Sequence, residues 1–229
     1  MKKDYTLSLQ KGSDMKIIMI CSGGLDSTVL YYYEKSLGND IIPINFNYGS
    51  KHNSIERERA RLLIPNLIEI NIDLSMFNSS LLSSNKEDIP YGHYAAENMK
   101  STVVPFRNGI MLAYAIGYAE SMNYDVVMFG NHAGDHFIYP DCRPEFVDAM
   151  NQASVTGTFN AIKILSPFNA MTKSDIAKKG GELGIETIMA QTWTCYEGKE
   201  IHCGKCGSCT ERKEAFSLAG IKDQTIYKE

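Results

Sequence analysis

The sequence predicts an α/β fold: a mainly parallel β-sheet with helices on both faces. Three observations lead there. Short apolar runs alternate with helical stretches along most of the chain. The apolar runs are compact and bounded by turn residues, as strands covered on both faces require. Unusual polar and glycine-rich strings gather after several of these runs, where parallel sheets bind ligands at the carboxyl ends of their strands.

Residues 16–21 (Lys-Ile-Ile-Met-Ile-Cys) form an apolar run entering a glycine pair, which suits a buried strand feeding a turn. A helix follows over 26–37, stopped by Gly38, then a strand over 41–46. The second helix covers 54–63, with Pro65 past its end, and the third strand 67–72. Residues 75–101 are polar and irregular, and a segment of that length in a compact domain reads as a functional lid. Helical patterning resumes over 107–122, and the strand at 125–129 runs into Gly130. A helix at 144–155, a short strand at 161–165 and a helix at 172–183 complete the alternation; Thr172 and Asp175 have the spacing of a capping box. The chain divides into a leader (1–15), a nucleotide-binding α/β domain (16–192) and a small zinc-binding segment (193–229).

Composition narrows the class. Over 229 residues, 44% hydrophobic and 22% charged side chains describe an ordinary soluble globular protein. No apolar run nears the roughly 20 residues of a membrane span, and the leader lacks an apolar signal core, so no membrane role and a cytoplasmic location are expected. A net charge of −4 argues against direct nucleic-acid binding. Lys51, Arg57, Arg59 and Arg61 cluster, but Glu56 and Glu58 interleave with them, and the stretch reads as a solvated helix face.

Ser22-Gly23-Gly24-Leu25-Asp26-Ser27-Thr28 is the most informative string. It follows a strand and opens a helix, so backbone N–H groups and the helix N-terminus converge on one anion. Ser22, Ser27 and Thr28 add hydroxyl donors. Asp26 is out of place beside bare phosphates and fits if it holds the Mg²⁺ that accompanies ATP. An ordinary glycine turn with Asp26 as a helix cap is the plain alternative. No Gly-Lys-Ser/Thr closes the loop, so it is not a Walker loop.

Cys195, Cys203, Cys206 and Cys209 are spaced C-x7-C-x2-C-x2-C with Gly204 and Gly207 between them. Four thiolates at such spacing suit tetrahedral Zn²⁺ in a closed, structural site, one ion per chain. An iron–sulfur cluster takes the same ligands, and a redox pair of cysteines is a further alternative. His202 reads as a bystander.

The seven-residue loop resembles the PP-loop of the ATP pyrophosphatase superfamily, whose members cleave ATP between the α and β phosphates. Further strings narrow the resemblance: Tyr48-Gly49-Ser50-Lys51-His52, Val104-Pro105-Phe106-Arg107-Asn108, His132-Ala133-Gly134-Asp135-His136, Tyr139-Pro140-Asp141-Cys142-Arg143-Pro144-Glu145-Phe146, Thr172-Lys173, Thr192-Trp193-Thr194-Cys195-Tyr196, and Arg212 with Phe216. In this order they resemble the QueC family, the 7-cyano-7-deazaguanine synthases, from about residue 17 to 227. Ser50, Phe106 and Asp223-Gln224-Thr225 depart from the family pattern without removing an indispensable group.

The resemblance implies that 7-carboxy-7-deazaguanine, ammonia and ATP give the nitrile, AMP and pyrophosphate, in the making of queuosine and related bases. It implies that Ser22, Gly23, Gly24, Leu25, Asp26, Ser27 and Thr28 bind nucleotide, with Lys173 as a second phosphate clamp; a surface lysine is the alternative for Lys173. Asp26, Lys173, Arg107 and Asp135 are the implied catalytic groups. Lys51, Phe106, Arg107, Asp135, Tyr139, Asp141 and Arg143 are the implied substrate contacts. For Lys51 and Arg107 surface ion pairing stays open, for Asp141 helix capping, and for Phe106 and Tyr139 a place in the core. A homodimer is carried over in the same way. Another PP-loop activity, such as tRNA thiolation, is the rival enzyme, and a nucleotide- or zinc-holding module the rival outside catalysis.

Overall fold

The computed structural model describes residues 14–228, so most of the expected leader lies outside the described residues. Among these, five strands form one sheet: β1 (Lys16–Ile20), β2 (Asp40–Asn47), β3 (Ile68–Asn71), β4 (Val126–Phe129) and β5 (Lys163–Leu165). Their order is β3-β2-β1-β4-β5 and every pairing is parallel. Sequence order reverses between β1 and β4, which opens a crevice beyond their carboxyl ends.

The helices are α1 (Leu25–Ser36), α2 (Asn53–Leu63), α3 (Arg107–Ser121), α4 (Pro144–Gly157), α5 (Lys173–Glu182), the short α6 (Glu186–Met189) and α7 (Gly207–Ala219). Both faces of the sheet are covered, because successive strand residues point to opposite sides. Ile18 of β1 and Val127 of β4 pack with Leu112, Ala115 and Val147 from α3 and α4. Ile17, Met19, Val126 and Met128 pack on the other face with Val29, Leu30, Ile176 and Phe216. Burial on both faces explains why these strands read as unbroken apolar runs.

The expected strands and helices lie close to their observed bounds. The last strand is shorter than 161–165, because Ala161 takes a left-handed φ of 51° and the strand begins only at Lys163. The expected capping box is present: Thr172 Oγ1 accepts from Asp175 N, and Asp175 Oδ2 accepts from Thr172 N. Residues 75–101 differ from a loose lid. Leu81 and Leu82 are fully buried, Met99 is buried in a 3-10 turn (Glu97–Thr102), and the segment bridges to the chain at Ser50 and at Cys206. Irregular backbone is anchored there by scattered apolar side chains, which no periodic pattern reveals.

Helix α7 is absent from the sequence reading. Its core contribution is narrow, with Ala215 and Phe216 buried and most of its other side chains polar. Arg212 is nonetheless fully buried, donating from Nη1 to Thr192 Oγ1 (2.8 Å) and from Nη2 to the Met189 carbonyl (2.7 Å). Through Phe216 the end of the chain belongs to the same core as β1. Phe216→Ala is expected to lower unfolding stability by about 3–5 kcal/mol, the range for an emptied aromatic core position, as read by urea denaturation followed by circular dichroism.

Candidate active site

The loop from Ser22 to Ser27 lies at the carboxyl end of β1. Gly23 has a φ of 88°, and a side-chain carbon there would sit 2.6 Å from the Glu56 carbonyl and 2.7 Å from Ala60 N. Only glycine lets the loop lie so close to α2. Gly24 is the N-cap residue of α1 and offers no side-chain cap, so the first amides of the helix are left for a ligand. Ser22 Oγ accepts from Gly24 N (3.2 Å) and lies 3.1 Å from Ser27 Oγ, which fixes both hydroxyls at the loop. Leu25 and Thr28 are buried beneath it, Leu25 within the core, and both act as its footing. Gly130, at the end of β4, comes so near that an added carbon would lie 3.1 Å from Ser27 N. Trp193 N donates to the Gly23 carbonyl (2.9 Å) and ties the far end of the chain to the loop.

Lys173, at the start of α5, reaches into the same crevice. Its Nζ lies 3.1 Å from Asp26 Oδ2, 2.9 Å from Glu211 Oε2 and 3.2 Å from His132 Nε2. Burial works against the ammonium charge, but Asp26, Glu211 and Asp135 outweigh it and hold Lys173 protonated. Burial likewise pushes the Asp26 carboxyl up, and Lys173 and His132 bring it below its ordinary value. His132 Nδ1 accepts from Gly134 N (3.1 Å), which assigns the ring proton to Nε2. That nitrogen faces Asp135 Oδ1 and Glu211 Oε1, each at 3.5 Å. Asp26 Oδ1 is buried and has no hydrogen-bond partner among the described residues, so one carboxylate oxygen remains open to a ligand.

A cavity of about 220 Å³ joins these groups. Arg107, Asp135 and Tyr139 line it together with the loop and Lys173. Tyr139 is not free to swing, since its hydroxyl lies 3.1 Å from Thr102 Oγ1 and 3.0 Å from Tyr196 OH. The other expected contacts lie elsewhere. Lys51 Nζ donates to the Glu87 carbonyl. Phe106 is 58% exposed and packs edge-on against Phe146. Asp141 accepts from Asn108 N (2.8 Å) and so caps the first turn of α3. Arg143 is exposed and donates to the His136 carbonyl (3.0 Å).

Tyr48, His52, Glu56 and Glu211 line the cavity although the sequence reading gives none of them a role there. Glu56 in particular departs from a solvated helix face. Its neighbours Arg57 and Arg61 do pair outward, both with Glu69. Glu56 itself turns inward, 3.5 Å from His52 Nε2 and bonded to Ser22. Burial holds His52 down at about 4, so it is uncharged at neutral pH. The helical period places Glu56 a full turn from Ala60, which is buried, and that spacing was the available signal.

Cys195, Cys203, Cys206 and Cys209 are all buried and their sulfurs lie within 4.8 Å of one another. A zinc tetrahedron with bonds of 2.3 Å separates its sulfurs by about 3.8 Å, so the donor set fits a four-coordinate ion. Cys203 Sγ accepts from Lys205 N (3.4 Å) and Cys206 N (3.3 Å), and Cys195 Sγ accepts from Cys203 N (3.3 Å). Amides aimed at sulfur stabilise thiolates. His202 lies against the Trp193 ring and accepts from Thr194 N (3.2 Å), outside the thiol cluster.

A sequence model of the queuosine biosynthesis protein QueC family matches residues 16–220. A 7-cyano-7-deazaguanine synthase of Porphyromonas gingivalis is 47% identical over 226 residues, covering 96% of this chain and all of its own length. A 7-cyano-7-deazaguanine synthase of Desulfotalea psychrophila is 50% identical, covering 92% of this chain and 97% of its own. That of Hahella chejuensis is 44% identical, covering 93% of each.

The buried carboxyl makes stability pH-dependent. Burial pushes Glu56 up from 4.5 to about 7, against the pull of Arg107 and the Ser22 hydrogen bond. A raised acid favours the folded state fully below about pH 4.5 and loses that contribution as pH rises through 7. Glu56→Gln, which does not titrate, is therefore expected to gain melting temperature over the native chain at pH 8 and little at pH 5, measured by thermal denaturation across that range.

Proposed function

The chain belongs to the queuosine biosynthesis protein QueC family, and from that premise we propose that it is an ATP-dependent ligase converting 7-carboxy-7-deazaguanine and ammonia into 7-cyano-7-deazaguanine. One observation carries the structural side of this reading. The loop Ser22–Ser27, Lys173 and Arg107 meet in one cavity at the point where strand order reverses. Loop amides and Lys173 are suited to the β and γ phosphates, which depart as pyrophosphate. In that state phosphate oxygens replace Asp26 and Glu211 as partners of the ammonium. The open Oδ1 of Asp26, with Asp135 and Glu211 nearby, suits the Mg²⁺ that accompanies ATP; such an ion neutralises phosphate charge.

The bond changes follow from the chemistry of a carboxylate. A carboxylate oxygen attacks the α-phosphorus, the bond to the bridging oxygen breaks, and pyrophosphate leaves. Ammonia then forms a C–N bond at the acyl adenylate, the C–O bond breaks, and AMP leaves with its electron pair. The amide oxygen repeats the attack on a second ATP, displacing a second pyrophosphate, and loss of AMP and of both N–H protons leaves the C≡N triple bond. Each half needs the same loop, so one site serves both. Arg107, half-buried and held charged although burial opposes it, is placed to fix the carboxylate. Tyr139 and Tyr196 offer ring faces beside it. The family resemblance supports a homodimer and a cytoplasmic location.

The four-thiolate cluster is read as a structural zinc site. Its sulfurs leave no open coordination position, and the ion would order the turn between Trp193 and α7. Elemental analysis is expected to give one zinc per chain, and Cys206→Ser is expected to lose the metal and to melt at a lower temperature. Iron with visible absorbance would reject the assignment.

The reaction is tested by incubating the purified protein with 7-carboxy-7-deazaguanine, ammonium and Mg-ATP and detecting the nitrile by mass spectrometry, with two AMP per product. Asp26→Asn keeps the side-chain shape but removes the charge facing Lys173. It is expected to cut AMP formation by about 10²–10³ while its circular dichroism stays native. Turnover at the native rate in that variant would reject the role given to the loop.

A further inference from the structure

We propose that Glu56 is the proton acceptor for both nitrogen steps, receiving a proton from ammonia as it attacks the acyl adenylate and the last N–H proton as the second adenylate collapses to the nitrile. This inference rests on the ligase reading and gives a role to a cavity residue which that reading leaves unused.

Position carries the argument first. Glu56 lies in the first turn of α2, against the phosphate loop, with its own carbonyl at the closest approach to Gly23. Its carboxylate bonds Ser22, the first residue of that loop, and lies 3.5 Å from His52 Nε2. Arg107 from α3 and the buried Tyr48 after β2 are the other titratable groups whose charge it feels. The loop, Arg107 and Glu56 line one cavity, so Glu56 borders the space to which the ligase reading assigns the α-phosphorus and the acyl carbon.

Elimination carries it further. Asp26, Asp135 and Glu211 are engaged by Lys173 and His132. Lys173 is held charged and has no lone pair to offer. His52 is held at about 4 by burial, too weak a base for this task. Burial raises the hydroxyls of Tyr48, Tyr139 and Tyr196, so none is ionised at neutral pH. Glu56 remains, a carboxyl pushed up to about 7 by burial, which is where a general base works best near neutral pH.

The proton count balances. In the first step the nitrogen lone pair forms the C–N bond, one N–H proton moves to the Glu56 carboxylate, and AMP departs with the C–O pair. In the second, the O-adenylated amide first sheds one N–H proton to water to give the neutral imidate; its remaining N–H electron pair then becomes the third C–N bond as AMP departs, and that last proton moves to Glu56. The residue returns each proton to solvent before the next step. The first adenylation itself needs no base, because the attacking oxygen is a carboxylate.

That asymmetry gives the test. Glu56→Gln keeps the shape and a hydrogen bond to Ser22. ATP–pyrophosphate exchange with 7-carboxy-7-deazaguanine is expected to stay within about three-fold of the native rate, while nitrile formation falls by about 10²-fold or more. At constant free ammonia the native rate is expected to rise through an apparent pKa near 7, and the variant to show no such limb. Native nitrile formation in Glu56→Gln would overturn the inference. So would loss of the exchange reaction, which would make Glu56 a support of the loop. A native protein that makes no nitrile would overturn the ligase reading itself, a result separate from both.

Discussion

The buried ammonium of Lys173 is the interaction around which the site is organised. A charge so largely withdrawn from water is costly to leave unpaired, so two elements must supply carboxylates at once. Asp26 comes from α1 and Glu211 from α7, and the Nε2–H of His132, in the turn after β4, faces the same Glu211 carboxylate. Both carboxylates sit in the first half of a helix whose apolar side chains pack in the core beside the sheet. Removing either carboxylate leaves the ammonium less compensated, and the cluster thus couples the sheet's crevice to the end of the chain. Its carboxylates also keep the cation in place until phosphate arrives, which makes the grip preorganised.

The sheet supplies the frame for this cluster. Parallel strands buried on both faces allow α1 and α5 to approach from one side and α3 from the other. Their N-terminal ends then point into one crevice. Two glycines make the approach possible, Gly23 against α2 and Gly130 against the first turn of α1. A methyl group at either would push the loop away from the position that the hydroxyls of Ser22 and Ser27 define.

The frame and the loop were readable from the sequence because each rests on a local rule: apolar runs for strands, a glycine string before a helix, Thr172 and Asp175 for a cap. The cysteine cluster was readable for the same reason. What escaped depends on contacts between distant segments. Glu56 and Arg57 are neighbours in a charged stretch, yet one turns into the cavity and the other pairs with Glu69. Asp141 and Asn108 are 33 residues apart, and only folding shows that the carboxylate caps α3. Glu211 lies beyond the metal-ligand pattern, where nothing local marks it as the counterion of Lys173. Lys51 shows the reverse, since a family motif suggested a ligand contact and the side chain instead secures the 75–101 segment.

The bond from Trp193 N to the Gly23 carbonyl has a consequence for how the protein is made. The phosphate loop leaves the ribosome ahead of the residue that fastens it, which emerges some 170 positions later. Glu211, the second counterion of Lys173, emerges later still. A nascent chain therefore carries the letters of the loop well before it has the loop's finished geometry. The finished phosphate grip is deferred until Trp193 and Glu211 have both joined the fold.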